Sequence, residues 1–423
     1  MAGIQEPQRV LSATPVGASP ATGLAGGAPR ILLVLLVAGL AASITLSQAM
    51  LAVLAVWLLR ERLRGRLTLA WPLLTPIGLF AAWTVTTALL SGAPADSLRA
   101  AQSLLGLAAV WVVLHALRDT ERARWFATAL FVALAVVAAL SIVQVATCGG
   151  DRLAGKALGL PRVLSSFFGK CHRAHGFYSI YMTLGGVLAM VLVMTLPRLA
   201  RLRRRAGAVT GWLVTAVGFA LTLVRGAWLG FGVGVVMLLC ILRRQTVTLV
   251  GVILIAAAVL AVPSVQQRVL SFGDVTDPTA RERMAMLSAG RALFAEHPVV
   301  GIGPGQVKRL YPEYAPVYAL RKHTSHLHNT PLQIAVERGA VGLALWLWIF
   351  VAFFVRVLAI WKRLPVEAVD ERALVTGCAA AIAAFLAAGL FEYNFGDTEV
   401  LLVAMSVMAL PLVIERDRAP SVA

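Results

Sequence analysis

Eleven apolar stretches set the terms on which this chain can fold: 31–59, 68–91, 98–117, 123–147, 174–196, 207–224, 226–242, 246–263, 331–360, 371–391 and 398–414. A helix needs roughly 20 apolar residues to cross a bilayer. With 59% hydrophobic and only 14% charged residues over 423 positions, too little polar surface is left for a water-soluble particle, so much of the exterior must face lipid. The expected fold class is an all-α integral membrane protein. The first stretch is long and holds Ser43, Thr45, Ser47 and Gln48 in its middle. It reads as two short helices with a turn near 45–47, which brings the count to about twelve transmembrane helices. The run from Ile31 lacks a cleavage context and further spans follow it, so it reads as an anchor and not as a secretory signal.

The formal net charge of +18 does not point to nucleic acid, because Lys and Arg fall in short clusters between apolar runs. These clusters are residues 60–66 (RERLRGR), 118–124 (RDTERAR), 198–205 with Arg243–Arg244, 362–372, and the tail from Glu415. With twelve spans all lie on one side together with both termini, and the positive-inside rule makes that side the cytoplasm. The expected organisation is a disordered cytoplasmic tail (1–29), nine membrane helices with an outer loop at 148–173 (30–263), and a helical periplasmic cap (264–330). Three more membrane helices (331–414) and a short cytoplasmic tail (415–423) complete it. In the cap, helical pieces are expected at 281–296 and roughly 305–320, broken by Pro278, Pro298, Pro304, Pro312 and Pro316. Cys148 and Cys171 stand at the two ends of one outer loop, where disulfides persist, and are candidates for a bridge. Cys240 and Cys378 read as packing residues.

The outer segments carry more positive charge than topology asks for. Loop 148–173 holds Arg162 and Lys170 among others, and the cap holds Arg281, Arg283 and Arg291. Guanidinium groups bind phosphate bidentately, so a phosphate or diphosphate ligand is one reading, and lipid head groups are another. Arg225, in LTLVRGAWLGFGVG, sits between two apolar runs with almost no loop, where a charge is expensive unless it is functional or anchored at the interface. The following glycines allow close approach of another helix or a lipid chain. Three histidines, His323, His326 and His328, crowd KHTSHLHNT ahead of Pro331. A metal site, a neutral imidazole acting as general base, and simple capping are all open. Their spacing fits no standard closed metal site, and a single base is the more economical choice. Glu337 lies along the helix that Pro331 starts, where a carboxylate needs a partner.

The stretch from His328 to Gly342, HNTPLQIAVERGAVG, resembles the signature of bacterial O-antigen ligases: a His followed by Asn, Ser or Gln, nine residues, then Gly-x-x-Gly. RGAWLGFGVG is similar to that family's arginine motif, and the segment from Arg283 to Gly305 is similar to the cap that follows its second arginine. Leu287 stands where a tryptophan is common four places after that arginine, and Arg283 is taken as its counterpart rather than Arg281. The motifs cover roughly 205–400. The resemblance implies a glycosyltransferase of GT-C-like fold in a bacterial inner membrane, with both termini cytoplasmic and the active site facing the periplasm. It implies polysaccharide transfer from an undecaprenyl diphosphate-linked donor to a sugar hydroxyl of lipid A–core, with inversion and without a metal or other cofactor. His328 would be the base, with Arg225 and Arg283 on the leaving diphosphate. Arg162, Lys170, Arg291, His326, His323, Asn329 and Glu337 would contact substrate. O-antigen polymerases and protein O-oligosaccharyl ligases share the superfamily and stay open, as does a lipid-glycan transporter, which would place its polar groups nearer the midplane.

Overall fold

The computed structural model describes residues 28–147, 173–202, 206–242 and 278–419. Among them every regular element is helical: α1 (Arg30–Ala42), α2 (Ile44–Leu63), α3 (Leu74–Leu89), α4 (Pro94–Ala101), a 3₁₀ turn (Gln102–Ala108), α5 (Ala109–Ala116), α6 (Thr120–Ala146), α7 (Tyr181–Leu202), α8 (Ala206–Leu221), α9 (Arg225–Leu242), α10 (Pro278–Glu296), α11 (Val307–Tyr314), α12 (Thr330–Arg363), α13 (Val369–Ala388) and α14 (Thr398–Asp417). Seven spans among the described residues are long and apolar enough to cross a membrane, and four shorter helices are also apolar. This is an all-α, multi-pass membrane protein. The apolar run at 246–263, loop residues 148–172 with Arg162, Lys170, Cys148 and Cys171, and the N-terminal tail to residue 27 lie outside the described residues.

The first apolar run is a helical hairpin. Its turn is at Ser43, earlier than the polar cluster suggests, because Ser43 is extended (φ −158°) and its side chain caps α2 by accepting from the Leu46 N–H. Arg122 donates to the Ala28 carbonyl just before α1, while the Tyr178 hydroxyl donates to the Leu40 carbonyl near its other end. The Arg118 guanidinium, at the first of these ends, lies over Trp57 of α2. Both outer ends of the hairpin therefore sit at one end of the bundle. The charged turns gather there too: Arg124 with Asp370 at 3.7 Å, Arg418 with Glu371 at 3.5 Å, and Thr120 with Asp417 at 2.6 Å.

α13 and α14 form the buried centre. Gly226, Gly230 and Gly234 of α9 lie against Phe391, Ala388, Ala384 and Ala380, so these glycines serve helix packing. Cys378 is buried there, but Cys240 is exposed, and the packing expectation for Cys240 does not hold.

The cap is α10, α11 and their loops. α10 starts at Pro278, where the missing N–H is harmless. α11 contains Pro312 and stops at Tyr314 instead of continuing to 320. Ala315, the residue before Pro316, is extended (ψ 118°), as the proline ring requires of its predecessor. A seam joins cap to membrane: the Ile302 and Gly303 N–H groups donate to the Val336 and Glu337 carbonyls, and the Ala340 N–H donates to the Pro298 carbonyl. α12 is broken for this purpose at Gly339, whose φ is +66°. A Cβ there would stand 1.8 Å from the Val299 carbonyl oxygen, so only glycine fits.

Candidate active site

The turn joining α13 to α14 (residues 389–397) is the platform of the site, and the HNTP run docks on it. The Thr330 N–H donates to the Gly389 carbonyl at 2.7 Å and its hydroxyl donates to the Glu392 carbonyl at 2.8 Å. The Asn329 amide donates to the Leu390 carbonyl, while its oxygen accepts from the Leu332 N–H and caps α12. Both ends of the Asn329 amide are thus used inside the protein. The amide thereby staples the HNTP run to the platform, and with two donors and two acceptor lone pairs in all it keeps capacity for the substrate contact expected of it.

This stapling holds His328 in the left-handed region at φ 47°, a conformation rare for a non-glycine residue. The His328 Nδ1 lies 2.8 Å from Glu392 Oε2, and Arg283 Nη2 donates to Glu392 Oε1 at 2.6 Å. One carboxylate thus joins two of the residues singled out from sequence, from segments 64 and 109 positions away. An ionised carboxylate only accepts, so the proton of a neutral ring sits on Nδ1 and Nε2 carries the lone pair. The three side chains are partly open, at 12% exposure for Glu392, 22% for His328 and 33% for Arg283. Arg281, the alternative arginine, turns instead to the Tyr318 carbonyl.

His326 packs edge-on against His328, ring centroids 4.3 Å apart, with Tyr393 on its other side. Burial first, and the neighbouring His328 second, hold its imidazole down to about 4 from the usual 6.5. It is therefore a neutral wall beside His328 at ordinary pH. Burial raises the Tyr393 phenol well above its usual range, which keeps that hydroxyl protonated.

His326, His328, Glu392 and Tyr393 line one side of a cavity of about 430 Å³, whereas Arg283, bonded to Glu392, is set back from it. The rest of its wall comes from Ala100 and Ser103, from Ser179 to Thr183 at the start of α7, from Gly305, and from Asp397 and Glu399. Asp397 caps α14 and accepts from the Thr183 hydroxyl at 2.5 Å; burial raises its carboxyl. Glu337 also borders the cavity, but its oxygens are filled by the Gly305 N–H, the Gln333 amide and the Arg338 guanidinium at 2.7–2.8 Å. Glu337 and Arg338 thus form a buried pair at the cavity's edge, with the carboxylate satisfied by donors as its burial requires. Among the described residues no three His, Cys, Asp or Glu side chains are placed to hold a metal ion.

Arg225 begins α9 and does not line the cavity. It flanks the platform: a Cβ on the next residue, Gly226, would be 2.7 Å from Cβ of Phe391, the neighbour of Glu392. Arg291 is exposed on α10, eight residues from Arg283 and so about 12 Å along the helix. His323 is exposed in the loop before His326. Neither joins the cluster. Glu392, Tyr393 and Asp397 are the residues that sequence reasoning passed over. The signal was present in FEYNFGDTE, two acids in a short turn between two spans and a third at the start of the next helix, where ionisable groups are costly without a task.

The O-antigen ligase family matches residues 209–347, about a third of the chain, from α8 through the cap to the middle of α12. The match includes Arg225, Arg283 and His328 and stops short of Glu392. It supports an O-antigen ligase or polymerase type of function in general. No curated protein matches the chain.

Proposed function

From the premise of membership in the O-antigen ligase superfamily, we propose that the protein is a lipid A–core:O-antigen ligase. It moves a polysaccharide from undecaprenyl diphosphate to a sugar hydroxyl of lipid A–core, on the periplasmic side of a bacterial inner membrane. The observation that carries this reading is Glu392 at the wall of the 430 Å³ cavity, which holds His328, also at the wall, on one oxygen and Arg283, set back from it, on the other.

The chemistry follows from that arrangement. The acceptor hydroxyl oxygen attacks the anomeric carbon, and its proton passes to His328 Nε2. The bond from the anomeric carbon to the diphosphate oxygen breaks, with inversion, and the lipid diphosphate leaves with the electron pair. Glu392 fixes the ring's tautomer and stabilises the imidazolium as it forms. Arg283 has donors to spare beyond the one on Glu392, and with Arg225 at the platform's flank it offsets charge growing on the leaving group, a preorganised electrostatic role. His326, neutral and packed on His328, keeps a second positive charge from the base. Arg162 and Lys170 remain candidates for phosphate contacts.

The test is reconstitution of the purified protein with a defined undecaprenyl diphosphate-linked donor and lipid A–core acceptor, with and without chelator. Transfer that survives the chelator supports the proposal. Chain elongation on a second lipid-linked glycan, in place of transfer to lipid A–core, would reassign the protein to polymerisation.

A further inference from the structure

The loop between α11 and α12 has a tip whose exposure the cap works to maintain. Val317 is 98% exposed, Leu320 50% and Tyr318 44%. These side chains lie outside the membrane helices, so their exposure is not that of a span facing lipid. The backbone that carries them is braced by charged groups. Glu282 Oε2 accepts from the Leu320 and Arg321 N–H groups, Arg281 Nε donates to the Tyr318 carbonyl, and Lys322 Nζ donates to the Ala315 and Pro316 carbonyls. An apolar loop free to collapse would turn such side chains inward; this one is held open, and cations surround it, with Arg321 also exposed.

The height of the tip is fixed by its braces. Arg281 and Glu282 immediately precede Arg283, which is bonded to Glu392 in the short turn between α13 and α14. The start of α10 therefore sits at the end of the membrane helices, and the tip is within one side chain of it. The head-group layer of a leaflet is itself about 5–8 Å thick, so the tip falls within its reach. Apolar side chains ringed by Lys and Arg at that depth match the chemistry of the head-group boundary, with acyl chain below and phosphate around.

We infer that residues 315–322 are a bilayer anchor for the cap: Val317, Tyr318 and Leu320 enter the head-group and acyl boundary of the adjoining leaflet, and Arg281, Arg321 and Lys322 meet phospholipid phosphates. The anchor sets the height of α10, and with it of Arg283, over the platform. This goes beyond the glycosyl-transfer reading and stands or falls separately from it, since it requires only that the chain span a membrane.

The experiment places a photo-crosslinking amino acid at position 317 or, as a control, at the exposed Glu313. The full-length protein is reconstituted in vesicles of phosphatidylethanolamine and phosphatidylglycerol, and intact mass is read after illumination. A single-phospholipid adduct at 317 and little at 313 is the expected result. Arg321→Gln with Lys322→Gln should lower the preference for phosphatidylglycerol in that adduct by about fivefold per charge removed. Equal labelling at both sites, no lipid adduct at 317, or an adduct to another protein segment would overturn the anchor. So would a 317 adduct only with added lipid A–core, which would make the tip an acceptor contact instead.

Discussion

Glu337 and Glu392 border the same cavity and both pair with an arginine, yet their surroundings give them opposite work. Glu337 and Arg338 are each 3% exposed, and the Glu337 carboxylate takes a backbone N–H, an amide and a guanidinium. The Arg338 Nε continues to Thr84 of α3. That cluster closes the seam between cap and membrane helices. Glu392 takes one donor on each oxygen, and those donors are a histidine and an arginine that remain partly open. A carboxylate sealed by fixed donors holds structure together, whereas one shared between an imidazole and a guanidinium beside a cavity can follow a proton.

This contrast can be broken by experiment. The largest effect is expected from His328→Ala, which should lower transfer by about 10²–10⁴-fold with the thermal midpoint unchanged; near-normal transfer would remove the base from the scheme. Glu392→Gln keeps the shape but loses the charge, and should cost about ten- to a hundredfold in transfer, again without loss of stability. An equal fall in thermal midpoint would show that Glu392 is a second Glu337.

The converse comes from the seam. Glu337→Gln leaves Arg338 buried without its counter-charge and should destabilise the protein by about 3–5 kcal/mol, read as a lower midpoint in detergent. Adding Arg338→Met to that variant should restore much of the loss, and failure of this rescue would mean the pair is not what holds the seam.

A smaller effect sharpens the site's acid side. Below pH 6.5 the unfolded chain protonates His326, while the folded ring resists until pH about 4. The contribution of His326 to native stability must therefore fall as pH drops through that window. His326→Phe should flatten this slope, a difference on the order of 1–3 kcal/mol by pH 4, measured as thermal midpoint against pH. The smallest effect is expected for Arg291→Ala and His323→Ala. Both lie outside the cluster and should change stability by less than about 0.5 kcal/mol and leave transfer in place; a large loss from either would extend the site onto the outer face of the cap.

The helices and the hairpin at the start of the chain were legible because hydropathy is local: about 20 apolar residues in a row have few other uses. His328 and Arg283 stood out as candidates as well, from a rare cluster and from charge in an unfavourable place. The protein partners of Asn329 and Glu337 were not legible, since a polar residue beside a motif looks the same in sequence whether it faces a ligand or a backbone carbonyl. Gly339 was visible as part of a spacing, but its reason, the Val299 carbonyl 1.8 Å from any Cβ, belongs to another segment.

By itself the sequence determined that this chain is an all-helical membrane protein and which of its charges stand in costly positions. Only the tertiary structure decided that Glu392 joins His328 to Arg283, that Gly339 of α12 admits the cap loop, and that Glu337 is sealed. The physical reason is distance along the chain: partners 64 and 109 residues apart leave no local periodicity, and the packing of α10, α12 and the α13–α14 turn brings their atoms together.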